Sequence, residues 1–175
     1  WGDGDYGQLG DLGGADQDTP VEADLSSVGA TVVDVQVGFI HTCYLTSDDS
    51  MYCFGYNGYM NLGNGFTIGL TDMDMSPVTG GKFSQIDMGA NIGCGIDLQG
   101  APYCWGSNFY GSIGDGTTDN RYLATPVDLS GIAGSRVFVS IGAGSFHSCG
   151  MTDDNKIYCW GYSGGGALGD GLGTT

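Results

Sequence analysis

The chain has 175 residues, 35 of them glycine, with 41 % apolar and 14 % charged residues, enough apolar material for one packed domain and too little chain for two large ones. Four Lys plus Arg stand against 20 Asp plus Glu, a formal net charge of −16. So few cations exclude phosphate-driven nucleic-acid binding and attachment to an anionic membrane surface, and no stretch approaches the roughly 20 apolar residues of a membrane span. The acid excess favours solubility, or cationic partners such as calcium or basic proteins.

The chain opens on Trp1-Gly2-Asp3, with neither an initiator methionine nor a signal peptide, so it is expected to start inside a mature product or a fragment. Gln8-Leu9-Gly10 and Thr19-Pro20-Val21 follow. An extended apolar segment, Val33 to Gly38, then leads to Cys43 and Cys53, Phe54-Gly55, Asn61-Leu62-Gly63 and Ser76-Pro77-Val78. The same order returns as Phe83 to Gly89, Cys94 and Cys104, Trp105-Gly106, Ser112-Ile113-Gly114 and Thr125-Pro126-Val127. It returns again as Val137 to Gly142, Cys149 and Cys159, Trp160-Gly161 and Ala167-Leu168-Gly169. The aromatic–glycine pairs are 53, 51 and 55 residues apart, and four landmarks recurring in phase mark an internal repeat.

Each unit reads as strands. Between Thr42 and Gly55 two alternating apolar–polar runs flank the turn-forming cluster Ser47-Asp48-Asp49, and no window sustains a helical period. The pattern predicts an all-β protein of β-propeller blades, with about four antiparallel strands per ~50-residue unit. The expected divisions are 1–32 (second half of a blade), 33–82 (a blade), 83–136 (a blade) and 137–175 (an incomplete final blade).

The cysteines refine the hairpins. A hairpin symmetric about Asp48 sets Cys43 opposite Cys53 and Leu45 opposite Met51. Symmetry about Gln99 and Asp154 pairs Cys94 with Cys104 and Cys149 with Cys159. Directly opposed residues at non-hydrogen-bonded sites have Cα atoms about 4.5 Å apart, within disulfide reach. The rival readings are buried thiols, or a metal bound by His41 or His147 with the cysteine pair two residues on. The middle repeat opposes the metal, because Ile92 replaces the histidine while both cysteines persist, and no Cys-x-x-Cys knuckle occurs. Disulfides imply an oxidising compartment, so an extracellular or secreted protein is expected.

The run Val37-Gly38-Phe39-Ile40-His41-Thr42-Cys43-Tyr44-Leu45, then Met51-Tyr52-Cys53-Phe54-Gly55-Tyr56-Asn57, resembles the repeat of the regulator of chromosome condensation family, as does Gly7-Gln8-Leu9-Gly10. The resemblance covers practically the whole chain. It implies a seven-bladed propeller in the complete molecule, and cysteine-paired versions resemble secreted microbial and algal proteins. The chain carries about three and a half blades, and a propeller closes its edges. Missing blades are expected from further chain, from a second copy closing the ring, or from neighbours in a polymer.

Catalysis finds no motif: Ser145-Phe146-His147-Ser148-Cys149 sets hydroxyls beside a histidine, but it is the repeat's own strand. Guanine-nucleotide exchange, the family founder's activity, does not follow from blade consensus. The glycine-rich Gly161 to Gly166 run lacks the Lys-Ser/Thr ending of a phosphate loop. Asp3-Gly4-Asp5 and Asp115-Gly116-Thr117-Thr118-Asp119 offer oxygen ligands for calcium, though neither matches a calcium-loop motif and Asp-Gly is an ordinary turn pair. No other cofactor is expected. Tyr6, Tyr56, Tyr59, Tyr110 and Tyr162 fall in loops, where they suit partner contact or fill gaps between blades. No Asn-x-Ser/Thr acceptor occurs. Two functions fit: a non-enzymatic extracellular structural protein that assembles with copies of itself, or a secreted propeller module that binds a protein or glycan.

Overall fold

The computed structural model describes residues 1–65, 81–134 and 136–171. It is all-β, with three antiparallel sheets and, among the described residues, no helix beyond the 3-10 turn Gly164–Gly166. The first sheet holds β1 (Val32–Val37), β2 (His41–Thr46) and β3 (Met51–Gly55). The second holds β4 (Phe83–Met88), β5 (Ile92–Asp97), β6 (Pro102–Gly106) and β7 (Arg121–Pro126). The third holds β8 (Phe138–Ala143), β9 (His147–Thr152) and β10 (Ile157–Gly161). Within each sheet the strands pair in chain order, as a propeller blade requires. The tag Ser76-Pro77-Val78 lies outside the described residues. In the second blade the equivalent Thr125-Pro126 ends β7, and Val127 donates its N–H to the Pro102 carbonyl at 3.1 Å.

The hairpin register is the one that sequence symmetry predicts. Cys43 faces Cys53, Cys94 faces Cys104 and Cys149 faces Cys159, and each pair is bridged with Cα atoms 4.1 Å apart. Bonded sulfurs leave no thiolate, so the His-x-Cys metal reading falls. The third inner strand corrects one expectation. It runs past Gly142, which pairs with Cys149, to Ala143. Gly144 is the in-phase glycine, standing five residues before its cysteine as Gly38 and Gly89 do. A register shift recurs after the first residue of β1, β4 and β8. At one residue of slip, each inner strand changes which side chains face the neighbouring blade.

The core lies between blades rather than within one. Cys43, Leu45, Met51 and Cys53 of the first blade are buried with Phe83, Ile86, Met88 and Trp105 of the second. Ile92, Cys94, Ile96 and Cys104 of the second are buried with Phe138 and Ile141 of the third. A fully buried aliphatic side chain contributes about 1.5–3 kcal/mol, so the blades hold one another in place. Gly2 bridges Gln17 at the spacing at which Gly106 pairs with Arg121.

Candidate functional site

Antiparallel pairing sends all the turns between first and second strands, and all the loops after third strands, to one end of the arc. The ends of β1, β4 and β8 gather there around a shallow opening of about 300 Å³ lined by Val37, Met88 and Ala143 with Gly38, Gly89 and Gly144.

The loops after the third strands are built rather than slack. Buried Asn108 accepts the Ile113 N–H at 2.9 Å through Oδ1, while its Nδ2 donates to the Thr117 and Asp119 carbonyls at 3.1 and 3.0 Å. Asn57 accepts the Leu62 N–H in the same way at 3.0 Å. Each loop is also clamped by the following blade. Trp105 donates its indole N–H to the Asn61 carbonyl at 3.0 Å, and Trp160 donates to Ser112 at 2.9 Å. The same indoles press on the loop glycines. Gly63 and Gly114 have φ of +63° and +77°, and a Cβ there would lie 2.8 and 2.7 Å from Trp105 and Trp160. The small–aliphatic–Gly landmark is therefore the seat of the next blade's aromatic. Asn57 falls in the family-like run, but the sequence assigns neither asparagine a role, although each stands two residues after an aromatic–glycine pair.

On this scaffold the predicted tyrosines form two clusters. Tyr6 and Tyr56 meet edge-on with ring centroids 5.2 Å apart, and Tyr59 lies 6.2 Å from Tyr56. Tyr110 lies 5.0 Å from Tyr162, and Phe146 lies 5.3 and 6.3 Å from them. Tyr110 belongs to the second blade and the other two to the third, so the cluster spans a blade junction. Tyr110, Phe146 and Tyr162 are 51, 48 and 43 % exposed, which leaves ring area for a partner. Phe146, Phe109 and Phe39 are further exposed aromatics of this end. The sequence assigns them no contact role, since Phe39 and Phe146 read there as parts of the repeat's own strands and Phe109 as a loop residue.

Charge completes the site. Arg121 donates its Nε–H to Asp115 Oδ2 at 2.6 Å. Partial burial works against the Asp115 charge, yet hydrogen bonds from Thr117 and Arg121 hold its carboxyl below the usual carboxylate range. Exposed Asp3, Asp5 and Asp16 each offer a carboxylate oxygen within 4.8 Å of the others, an arrangement that solvated acidic groups also adopt without an ion. Ser148 is buried, and its hydroxyl donates to the Ser112 carbonyl at 3.0 Å, a structural bond between blades. His41 is buried, with no hydrogen-bond partner for either ring nitrogen among the described residues. Desolvation lowers its pKa to about 4.

Two family models described as the regulator of chromosome condensation (RCC1) repeat match the chain, one at residues 32–59 and 138–166 and the other at residues 99–151. The chain belongs to this repeat family. The Ultraviolet-B receptor UVR8 of Arabidopsis thaliana is 31 % identical over 174 residues, covering 98 % of this chain and 38 % of the receptor. The E3 ubiquitin-protein ligase HERC2 of Homo sapiens is 29 % identical over 169 residues, 92 % of this chain and 3 % of the ligase. Among solved structures, human WBSCR16 superposes with a TM-score of 0.79 at 20 % identity, over 98 % of this chain and 44 % of that one. Prp20p of Saccharomyces cerevisiae, studied for binding to Gsp1p and histones, gives 0.76 at 19 %, over 98 % and 42 %. These structures share the β-propeller fold, and the chain spans under half the length of each of the four relatives. Among the described residues no helix is long and apolar enough to cross a membrane.

Proposed function

We propose that this RCC1-type propeller segment is a non-enzymatic protein-binding platform whose contact surface is the loop end of the blades. The observation that carries the reading is the Tyr110–Phe146–Tyr162 cluster, half exposed and spanning a blade junction. The loop that carries Tyr110 is held by Asn108 and by the Trp160 clamp. Aromatics held in place beforehand offer contact area at low entropic cost. That Prp20p binds Gsp1p and histones supports protein partners by analogy of fold alone. The test is a photo-crosslinking amino acid placed at exposed Phe109 on the loop face, or at exposed Leu98 in a hairpin turn at the other end. A defined protein adduct, competed away by unlabelled chain, is expected from Phe109 and not from Leu98. Equal yield from the two positions overturns the reading.

A second reading is a structural role in which neighbouring copies complete the arc. It is favoured by two open, complementary faces. Val35 and Val37 on the first blade and Ile157 on the last are 59, 69 and 71 % exposed, and their in-phase counterparts pack together inside the arc. Sedimentation of the 175-residue chain is expected to show concentration-dependent assembly, and a strict monomer at high concentration ends this reading. The three disulfides support an oxidising, extracellular setting for either role. The 175-residue segment is then expected to gain six hydrogens in mass on reduction.

A further inference from the structure

We infer that the loop face selects a basic partner, a protein segment rich in arginine or lysine; this rests on the platform reading above. The chain's few cations are sorted to one end, whereas carboxylates lie at both, with Asp48, Asp49, Asp97, Asp153 and Asp154 in the hairpin turns of the end away from the aromatic clusters. Lys82 donates to the Asp48 carbonyl at a hairpin turn, and Arg136 and Lys156 lie 3.4 and 3.1 Å from Asp154 at another. These three of the four Lys and Arg residues belong to the end opposite the aromatic clusters. The fourth, Arg121, borders the loop face but is neutralised by Asp115. Loop residues 3–16, 107–120 and 162–171 contain no Lys, Arg or His.

What these loops do contain is carboxylates and aromatic rings within the same segments. Asp3, Asp5 and Asp16 are exposed in the segment that carries Tyr6. Asp119 is exposed in the loop of Tyr110. A guanidinium or ammonium within about 6 Å of a ring centroid is drawn to the ring face, and a neighbouring carboxylate adds a charge-assisted hydrogen bond. An acidic partner meets like charge here. An apolar one would strip water from carboxylates it cannot pair. A basic segment satisfies both groups, and a net charge of −16 steers it in from a distance.

The test titrates fluorescein-labelled nona-arginine into the full chain by fluorescence anisotropy, with nona-glutamate and a neutral Leu/Ser peptide as companions. Only the arginine peptide is expected to bind, with a Kd that rises with salt. Tyr110→Ala/Phe146→Ala/Tyr162→Ala keeps every charge and is expected to weaken binding roughly tenfold. Asp119→Asn is expected to weaken it roughly two- to threefold, and leaves the cluster intact should the triple variant fold poorly. Asp153→Asn, at the other end, is expected to change nothing. Binding unaffected by both loop-face variants means attraction by bulk charge and overturns the inference, as does an arginine peptide that fails to bind. A neutral or acidic peptide that binds through Tyr110 also overturns it while the platform reading stands. The platform reading itself falls only on the crosslinking result from Phe109.

Discussion

Ile86 and Val35 hold the same place in successive blades, four residues into the inner strand, yet Ile86 is 1 % exposed and Val35 is 59 % exposed. At the other end of the arc Met51 is 2 % exposed, and its counterpart Ile157 is 71 % exposed. Nothing in the strands themselves accounts for the difference, since all four positions are apolar and regularly paired. The neighbouring blade accounts for it. A propeller strand is patterned for a surface it does not own, so burial here is a property of junctions.

Three measurements put this contrast at risk. The largest effect is expected from Ile86→Ala, which opens a cavity between two blades and costs about 2–5 kcal/mol, against less than about 0.5 kcal/mol for Val35→Ala. Urea unfolding of the 175-residue chain reads both, and equal losses would mean that the junction is not where stability resides.

The histidines come next. His41 is buried with a pKa lowered to about 4, from desolvation, whereas His147, its in-phase partner, is half-buried. Because the folded value is below the ordinary one near 6.5, the unfolded chain takes up the proton first. The His41 contribution is therefore complete above about pH 6.5 and is lost as pH falls toward 4, by roughly 3 kcal/mol. His41→Ile installs the side chain that the second blade carries at Ile92. It is expected to flatten stability between about pH 6.5 and 4. Thermal melts across this range decide it.

The smallest effect is expected from the disulfides. Removing one such short-loop bridge costs roughly 2–3 kcal/mol in the chain-entropy model, and the bridges differ in access. Cys94 and Cys104 are fully buried between blades, while Cys149 and Cys159 are half-buried on the uncovered face. Under mild reductant, alkylation followed by mass spectrometry should label Cys149 and Cys159 first. Simultaneous labelling of all six cysteines would indicate cooperative opening of the whole arc.

Hairpins and their register were legible in the sequence because both are local. A ten-residue cysteine spacing centred on a turn admits one symmetric pairing, and a two-residue period assigns the faces. The loop tyrosines were legible as residues but not as a site. Tyr110 and Phe146 are 36 positions apart and on different blades, so only packing brings their rings within 5.3 Å. The loop asparagines were hidden for a different reason. Asn57 and Asn108 read as ordinary turn residues until their hydrogen bonds show that they organise the loops from inside.

By itself, then, the sequence determined the repeat, the strand pairs, the cross-strand cysteine bridges and the acid excess, all of which follow from short-range spacing and composition. Tertiary structure alone decided which apolar faces are covered, that the loop glycines seat the next blade's tryptophan, and that the loop aromatics gather at one end while three of the four Lys and Arg residues belong to the other. The physical reason is that a blade cannot bury its own faces. Its strands form from local pattern, but what each side chain meets is set by a blade about fifty residues away.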